Sequence, residues 1–197
     1  MDEKNGFVIM ELFQEYSKKL QTVIQTVDWH PVEQLANEIK KAWRERKQVF
    51  FCGNGGSAGN AIHLANDFLY GVSMEKRTGI KAIALAANQS VLTCLANDIS
   101  YEAIFSQQLS VLGGNRDILI VLSGSGNSPN IIKALEEAKT MEIKTAAILG
   151  YSGGKAKNLA DIVIHFPVKD MQITEDMQLV VGHMLMRWLC KNPIDRL

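Results

Sequence analysis

From Gln48 onward the chain alternates short apolar runs with helical stretches, and this alternation constrains its fold more than any other feature. The runs are Val49-Phe50-Phe51-Cys52 and residues 81–86, 117–122, 144–149 and 161–166. The run at 117–122 is apolar throughout after Asp117. A strand with no polar face needs cover on both sides, and a parallel sheet supplies it with its crossover helices. Residues 57–69, 89–96, 101–112, 129–141, 154–159 and 174–190 between and after the runs read as helices. Five strands alternating with helices predict an α/β fold: a doubly wound, five-stranded parallel sheet flanked by helices.

The chain before Gln48 is helical. Leu12, Tyr16, Leu20, Val23, Ile24 and Val27 recur at helical spacing, and Val32, Leu35, Ile39, Ala42 and Trp43 do so after the break at His30-Pro31. No strand precedes these helices, so they are not crossovers. They form either an arm against another subunit or a local lid on the sheet. No repeat, low-complexity segment or long linker divides the 197 residues. The chain therefore reads as one domain, with helices over 1–47 and an α/β core over 48–197.

Lys+Arg and Asp+Glu are equal at 21 each. A neutral chain has no bulk field for nucleic acid or an anionic membrane, so neither is an expected partner. No apolar stretch reaches membrane-spanning length, and the first residues lack the pattern of a signal peptide. The three cysteines, Cys52, Cys94 and Cys190, show no paired spacing, which suits a reducing compartment. A cytoplasmic protein is expected, with Cys52 buried as a small hydrophobe.

In a doubly wound sheet, ligands sit beyond the carboxyl ends of the strands. The loop after the first strand is Gly53-Asn54-Gly55-Gly56-Ser57, whose glycines allow positive φ and close approach of a ligand, and whose serine is placed to cap the next helix. It matches neither a P-loop nor a dinucleotide fingerprint. The loop after the third strand, Ser123-Gly124-Ser125-Gly126-Asn127-Ser128-Pro129, offers three hydroxyls and exposed amides where a helix begins. Such a loop can hold a phosphate with neutral donors. A third glycine-rich turn, at residues 150–154, either shapes the same crevice or is a plain loop. Two such loops without a Walker lysine point to a monophosphate ligand.

The segments CGNGGSA (52–58) and SGSGNS (123–128), each after an apolar strand, resemble the sugar isomerase (SIS) family. With Ala96-Asn97-Asp98 and the GGK turn at 153–155, the chain looks most like the phosphoheptose isomerases. The resemblance implies a homotetramer with active sites at subunit boundaries. It also implies conversion of the sugar phosphate sedoheptulose 7-phosphate to D-glycero-D-manno-heptose 7-phosphate, for lipopolysaccharide or capsule synthesis. Ser123, Gly124, Ser125 and Ser128 match the family's phosphate loop, Asn54, Gly55, Gly56 and Ser57 its substrate loop, and Asn97 and Asp98 a further substrate-contacting pair.

Aldose–ketose isomerisation needs a base over two adjacent carbons and a group handling protons at the oxygens. His63 and Asp67, at i and i+4, share one helix face, and the final helix offers Glu175, Asp176, Gln178 and His183. In phosphoheptose isomerases the positions matching His63, Asp67, Glu175 and His183 carry His, Glu, Gln and His. They bind zinc in several members, and the Glu and last His act as base and acid. The resemblance thus implies zinc held by His63, Asp67, Glu175 and His183, with Asp67 and His183 catalytic and Glu175 also facing substrate.

Four positions depart from the pattern. Asp67 is one methylene shorter than Glu, a setback of roughly 1 Å that can cost about 100-fold in rate. Glu175 stands in place of a neutral amide, Gly124 in place of the usual Thr, and Gly71 in a stretch that often carries Arg. Glu175 and His183 are eight residues apart, about 12 Å along a helix. His183, or the Glu175 end, is therefore expected to meet His63 and Asp67 across a subunit boundary. His30 and His165 read as structural or exposed, and Met177, Met184 and Met186 as packing residues. The other readings are a non-catalytic SIS tetramer that binds the replication initiator protein and a sugar-phosphate sensor.

Overall fold

The computed structural model describes residues 3–74 and 78–194. Helices α1 (Glu3–Thr26) and α2 (His30–Arg44) lead into an alternating core. The core runs β1 (Gln48–Gly53), α3 (Gly56–Leu69), β2 (Lys81–Ala84), α4 (Gln89–Asp98), α5 (Ser106–Leu112), β3 (Ile118–Ser123) and α6 (Pro129–Thr140). It continues with β4 (Lys144–Leu149), α7 (Ala156–Leu159), β5 (Ile162–His165) and α8 (Met171–Lys191). The five strands form one parallel sheet in the order β2-β1-β3-β4-β5. The chain leaves β1 toward β2 on one side and returns to β3 on the other. The carboxyl ends of β1 and β3 therefore flank the switch point where such sheets bind ligands.

Alternate residues of each strand serve opposite layers. Phe51, Ile120, Leu122 and Ile148 pack under α2, α3 and α8 with Leu35, Trp43, Phe68 and Leu185. Phe50, Leu119 and Val121 pack on the other face with Phe105, Leu109, Ile131 and Leu135. Cys52 lies in this second layer, fully buried, and desolvation pushes its thiol well above the ordinary range.

Several boundaries differ from the sequence reading. The stretch 101–112 splits into a single 3-10 turn, Tyr101–Ala103, and α5. The second strand stops at Ala84, and the short helix begins at Ala156. The last helix starts at Met171, three residues early, because Asp170 caps it by accepting from the Ile173 amide (3.2 Å). No helix among the described residues is long and apolar enough to cross a membrane.

Helix α1 has two halves. Leu20, Val23, Ile24 and Val27 pack on the core, so this half is a lid on the α2/α8 layer. The outer half exposes Val8, Ile9, Met10, Leu12 and Phe13. The halves meet where Tyr16 donates to the Asp176 carboxylate (2.5 Å) and Lys19 pairs with Asp170 (2.6 Å). Desolvation and the bond to Asp176 push the Tyr16 phenol from 10.0 up to about 12. A phenol whose pKa is higher in the folded state contributes below its unfolded pKa, and that contribution is lost as pH rises through the folded value. Docking of α1 on α8 is thus expected to be intact below pH 10 and to weaken toward pH 12. Following phenolate absorbance should show one of the four tyrosines titrating late, and Tyr16→Phe should remove that late step. A single common step near pH 10 would show that the contact does not form.

Candidate active site

The glycine loop and the serine loop face each other across the switch point. The chain turns out of β1 through Gly55 (φ 56°, ψ −123°), a conformation that favours glycine, and enters α3. Gly55, not Ser57, occupies the cap position, so no side chain caps α3. Ser57 is buried within the first turn and accepts from Gln178 of α8 (2.9 Å). Asn54 and Asn130 exchange two amide bonds of 2.9 Å each, and Tyr101 donates to the Asn54 carbonyl (3.0 Å). The Asn54 side chain therefore fastens its loop to α6 and the Tyr101 turn.

In the serine loop the Ser123 hydroxyl accepts from the Gly126 amide (3.0 Å) and that of Ser125 from the Asn127 amide (3.2 Å). Ser128 occupies the cap position of α6 with Pro129 behind it. The third turn buttresses this loop: Gly150 N donates to Gly124 O (3.1 Å), Ala156 N to Gly126 O (3.0 Å) and Lys155 N to the Asn127 side chain (3.1 Å). These bonds give the 150–154 turn a role in shaping the crevice.

A crevice of about 260 Å³ lies between residues 54–57 and 122–128, closed by Met171 and Glu175 of α8. A larger hollow of about 480 Å³ opens at the amino ends of the strands, but charged pairs such as Arg116–Glu45 (2.5 Å) line it and no glycine loop reaches it. Two of the family departures have a packing counterpart. A Cβ on Gly124 would stand 2.5 Å from the Met171 sulfur, and one on Gly71 would stand 2.5 Å from the Met186 methyl. Methionine side chains fill the space that the larger residues would need. Asn97 and Asp98 do not line the crevice. They sit exposed at the end of α4, where Asn97 (2.7 Å) and Cys94 (3.3 Å) donate to Asp98 and hold its carboxyl below the ordinary value.

Helices α3 and α8 run side by side in the same direction. Glu175 lies over Gly56, Asn60 donates to the Glu175 carbonyl (3.0 Å) and to the Gln178 side chain (2.9 Å), and Leu64 packs on Gly182. Along this seam, two turns beyond the crevice, His63 and His183 bring their Nε2 atoms to 3.0 Å with rings edge to face. Asp67 Oδ2 lies 3.5 Å from His63 Nε2 and 3.7 Å from His183 Nε2. Ligand atoms of the three residues all fall within 4.8 Å of one another. Two exposed imidazoles and a half-buried carboxylate fit a divalent ion with three protein ligands and an open position.

Two expectations change here. His183 meets His63 and Asp67 within one chain, because Gly182 lets α8 approach Leu64 closely; no subunit boundary is required. Glu175 is not part of this cluster: eight residues of helix separate it from His183, and its carboxylate sits over Gly56 in the crevice. His165 is structural, bonded to Tyr151 O (3.0 Å), and His30 is exposed beside Gln34 and Glu33.

Asn60, Asn130, Tyr101 and Met171 organise the site without a role in the motif reading, and Gln178, offered among the polar groups of the last helix, serves instead to bond Ser57 and Asn60. Asn60 carried a signal: with Gly56, His63 and Asp67 it falls at i, i+4, i+7 and i+11, one helical stripe. The Asp170 cap would likewise have placed Met171 at the start of α8.

A SIS-domain family model matches residues 12–150. The phosphoheptose isomerase of Helicobacter pylori strain P12 is 40% identical over 138 residues, covering 70% of this chain and 71% of that protein. The same enzyme of strain HPAG1 is 34% identical over 183 residues, covering 93% and 91%. Among solved structures, phosphoheptose isomerase GmhA from Neisseria gonorrhoeae superposes with a TM-score of 0.84 at 26% identity, over 92% of this chain and 98% of that one. A phosphoheptose isomerase from Francisella tularensis does so with a TM-score of 0.84 at 26% identity, over 95% and 98%. With its switch-point crevice and its histidine–aspartate cluster, the chain belongs to the SIS-domain family and, within it, to the phosphoheptose isomerases.

Proposed function

We propose that this protein interconverts sedoheptulose 7-phosphate and D-glycero-D-manno-heptose 7-phosphate. The observation that carries the reading is the convergence of His63, Asp67 and His183 on the same α3/α8 seam that opens into the serine-loop crevice. The phosphoryl group takes hydroxyls and amides of Ser123, Ser125 and Ser128 at the start of α6. The loop 54–57 shapes the opposite wall, and the sugar chain runs along the seam toward the cluster.

Asp67 takes a proton from C1 of the ketose, and His183 gives one to O2, which yields the enediol. His183 then takes the O1 proton as Asp67 returns its proton to C2, which yields the aldose with both residues restored. Zinc, held by His63 and Asp67 and by His183 only while that imidazole nitrogen carries no proton, would supply Lewis-acid stabilisation of the charge that develops on oxygen. A carboxylate has two oxygens, so Asp67 can serve the ion with one and the proton with the other. A non-catalytic adaptor or a sensor needs no such cluster, which favours the enzyme.

The same reading makes the protein a cytoplasmic homotetramer with active sites at subunit boundaries, supplying heptose phosphate for surface polysaccharide. The apolar outer half of α1 supports assembly. Incubation with sedoheptulose 7-phosphate in deuterated water should produce the aldose and exchange hydrogens at C1 and C2 by NMR, faster with zinc than with a chelator. No exchange under either condition would reject the reading.

A further inference from the structure

We infer that Glu175 restricts the crevice to ligands bearing a single phosphoryl group and sets the direction in which they lie. Both of its carboxylate oxygens stand 2.5 Å from the position a Cβ on Gly56 would occupy, so the charge rests on the first turn of α3, across the crevice from the serine loop. Its backbone is held there: Asn60 bonds the Glu175 carbonyl (3.0 Å), and the next turn is fixed by the buried Gln178–Ser57 bond (2.9 Å). Among the described residues lining the crevice, Glu175 is the one charged side chain, and no lysine or arginine neutralises it.

The two walls therefore differ in sign. The serine loop offers neutral donors to an anion, whereas the α3 wall presents a fixed negative charge that repels a phosphoryl dianion and accepts bonds from hydroxyl groups. A sugar monophosphate satisfies both walls in one orientation, with phosphate on residues 123–128 and its hydroxylated chain passing Glu175 on the way to the cluster. A diphosphate at the same end of the sugar brings its second phosphoryl group against Glu175 and cannot satisfy both.

This inference rests on the reading that the serine loop takes the phosphate, and the test separates the two. Calorimetric titration would compare sedoheptulose 7-phosphate with sedoheptulose 7-diphosphate on the natural chain, Glu175→Gln and Ser125→Ala, with circular dichroism confirming each fold. The natural chain should prefer the monophosphate by about 100-fold, and Glu175→Gln should shrink that preference to about tenfold or less, since like charges placed together cost several kcal/mol. Ser125→Ala should weaken monophosphate binding. An undiminished preference in folded Glu175→Gln overturns the inference while the phosphate reading stands. A preference below about tenfold in the natural chain overturns it without any variant. Monophosphate binding unmoved by Ser125→Ala, or absent from the natural chain, removes the reading and the inference together.

Discussion

Asp67→Asn is expected to lower kcat for sedoheptulose 7-phosphate by roughly 100- to 10,000-fold, the usual contribution of a positioned acid or base. The carboxylate lies 3.5 Å and 3.7 Å from the two imidazoles, the one acidic group that meets both. An amide keeps its shape but cannot take a proton. The change lies on an exposed cluster outside both hydrophobic layers, so melting of the metal-free protein should move by no more than a few degrees. The phosphate loop is on another element, and binding of the sugar phosphate to the variant should persist. Bound metal, measured after purification, should fall as well. Steady-state kinetics that leave kcat within about twofold of the natural chain would remove Asp67 from the proton path.

Gly126→Ala should cause the larger loss of stability. Gly126 has φ 66°, where a side chain costs roughly 1–2 kcal/mol. A Cβ there would also stand 2.0 Å from the Gly153 carbonyl oxygen and 2.6 Å from its carbon, so the backbones of the two loops must separate. Together these cost about 3 kcal/mol or more, a fall in Tm of about 6–12 °C for a chain of this size. The same displacement moves Ser125 and Ser128 apart, so binding of sugar phosphate should be lost with it. Gly59→Ala offers the contrast. A Cβ at Gly59 meets nothing within 4 Å and sits inside α3, so this change should stabilise by about 0.5–1 kcal/mol. Thermal melts of the two variants should shift in opposite directions. A melt of Gly126→Ala within about 2 °C of the natural chain would show that the loops are not packed as described.

The sheet was legible in the sequence because several of its strands are apolar on both faces, as at Ile118–Ser123, and a run so short with turn residues at its ends reads as a buried strand rather than a helix. The two ligand loops were legible because glycine and serine at strand ends have few other uses. The organisation of the site was harder to see. Ser57 has the composition of a cap, yet Gly55 takes that position and Ser57 turns inward to Gln178, a partner 121 residues away. Asn54 reads as a substrate ligand, yet its amide is spent on Asn130. The placement of His183 against His63 depended on the relative direction and register of α3 and α8, which no local pattern encodes. The small residue at Gly182 set that register, and a lone glycine inside a helix does not announce which neighbour it admits.

The seam between α3 and α8 joins residues 120 positions apart at His63 and His183. An ion held by His63, Asp67 and His183 would be a cross-link between the third helix and the last, closing a loop through most of the sheet. Closing so long a loop restricts the unfolded chain strongly, and an ion that binds only the folded arrangement shifts the equilibrium toward it. The reactive centre would then double as a clasp on α8, and stripping the metal would loosen the final helix along with the chemistry.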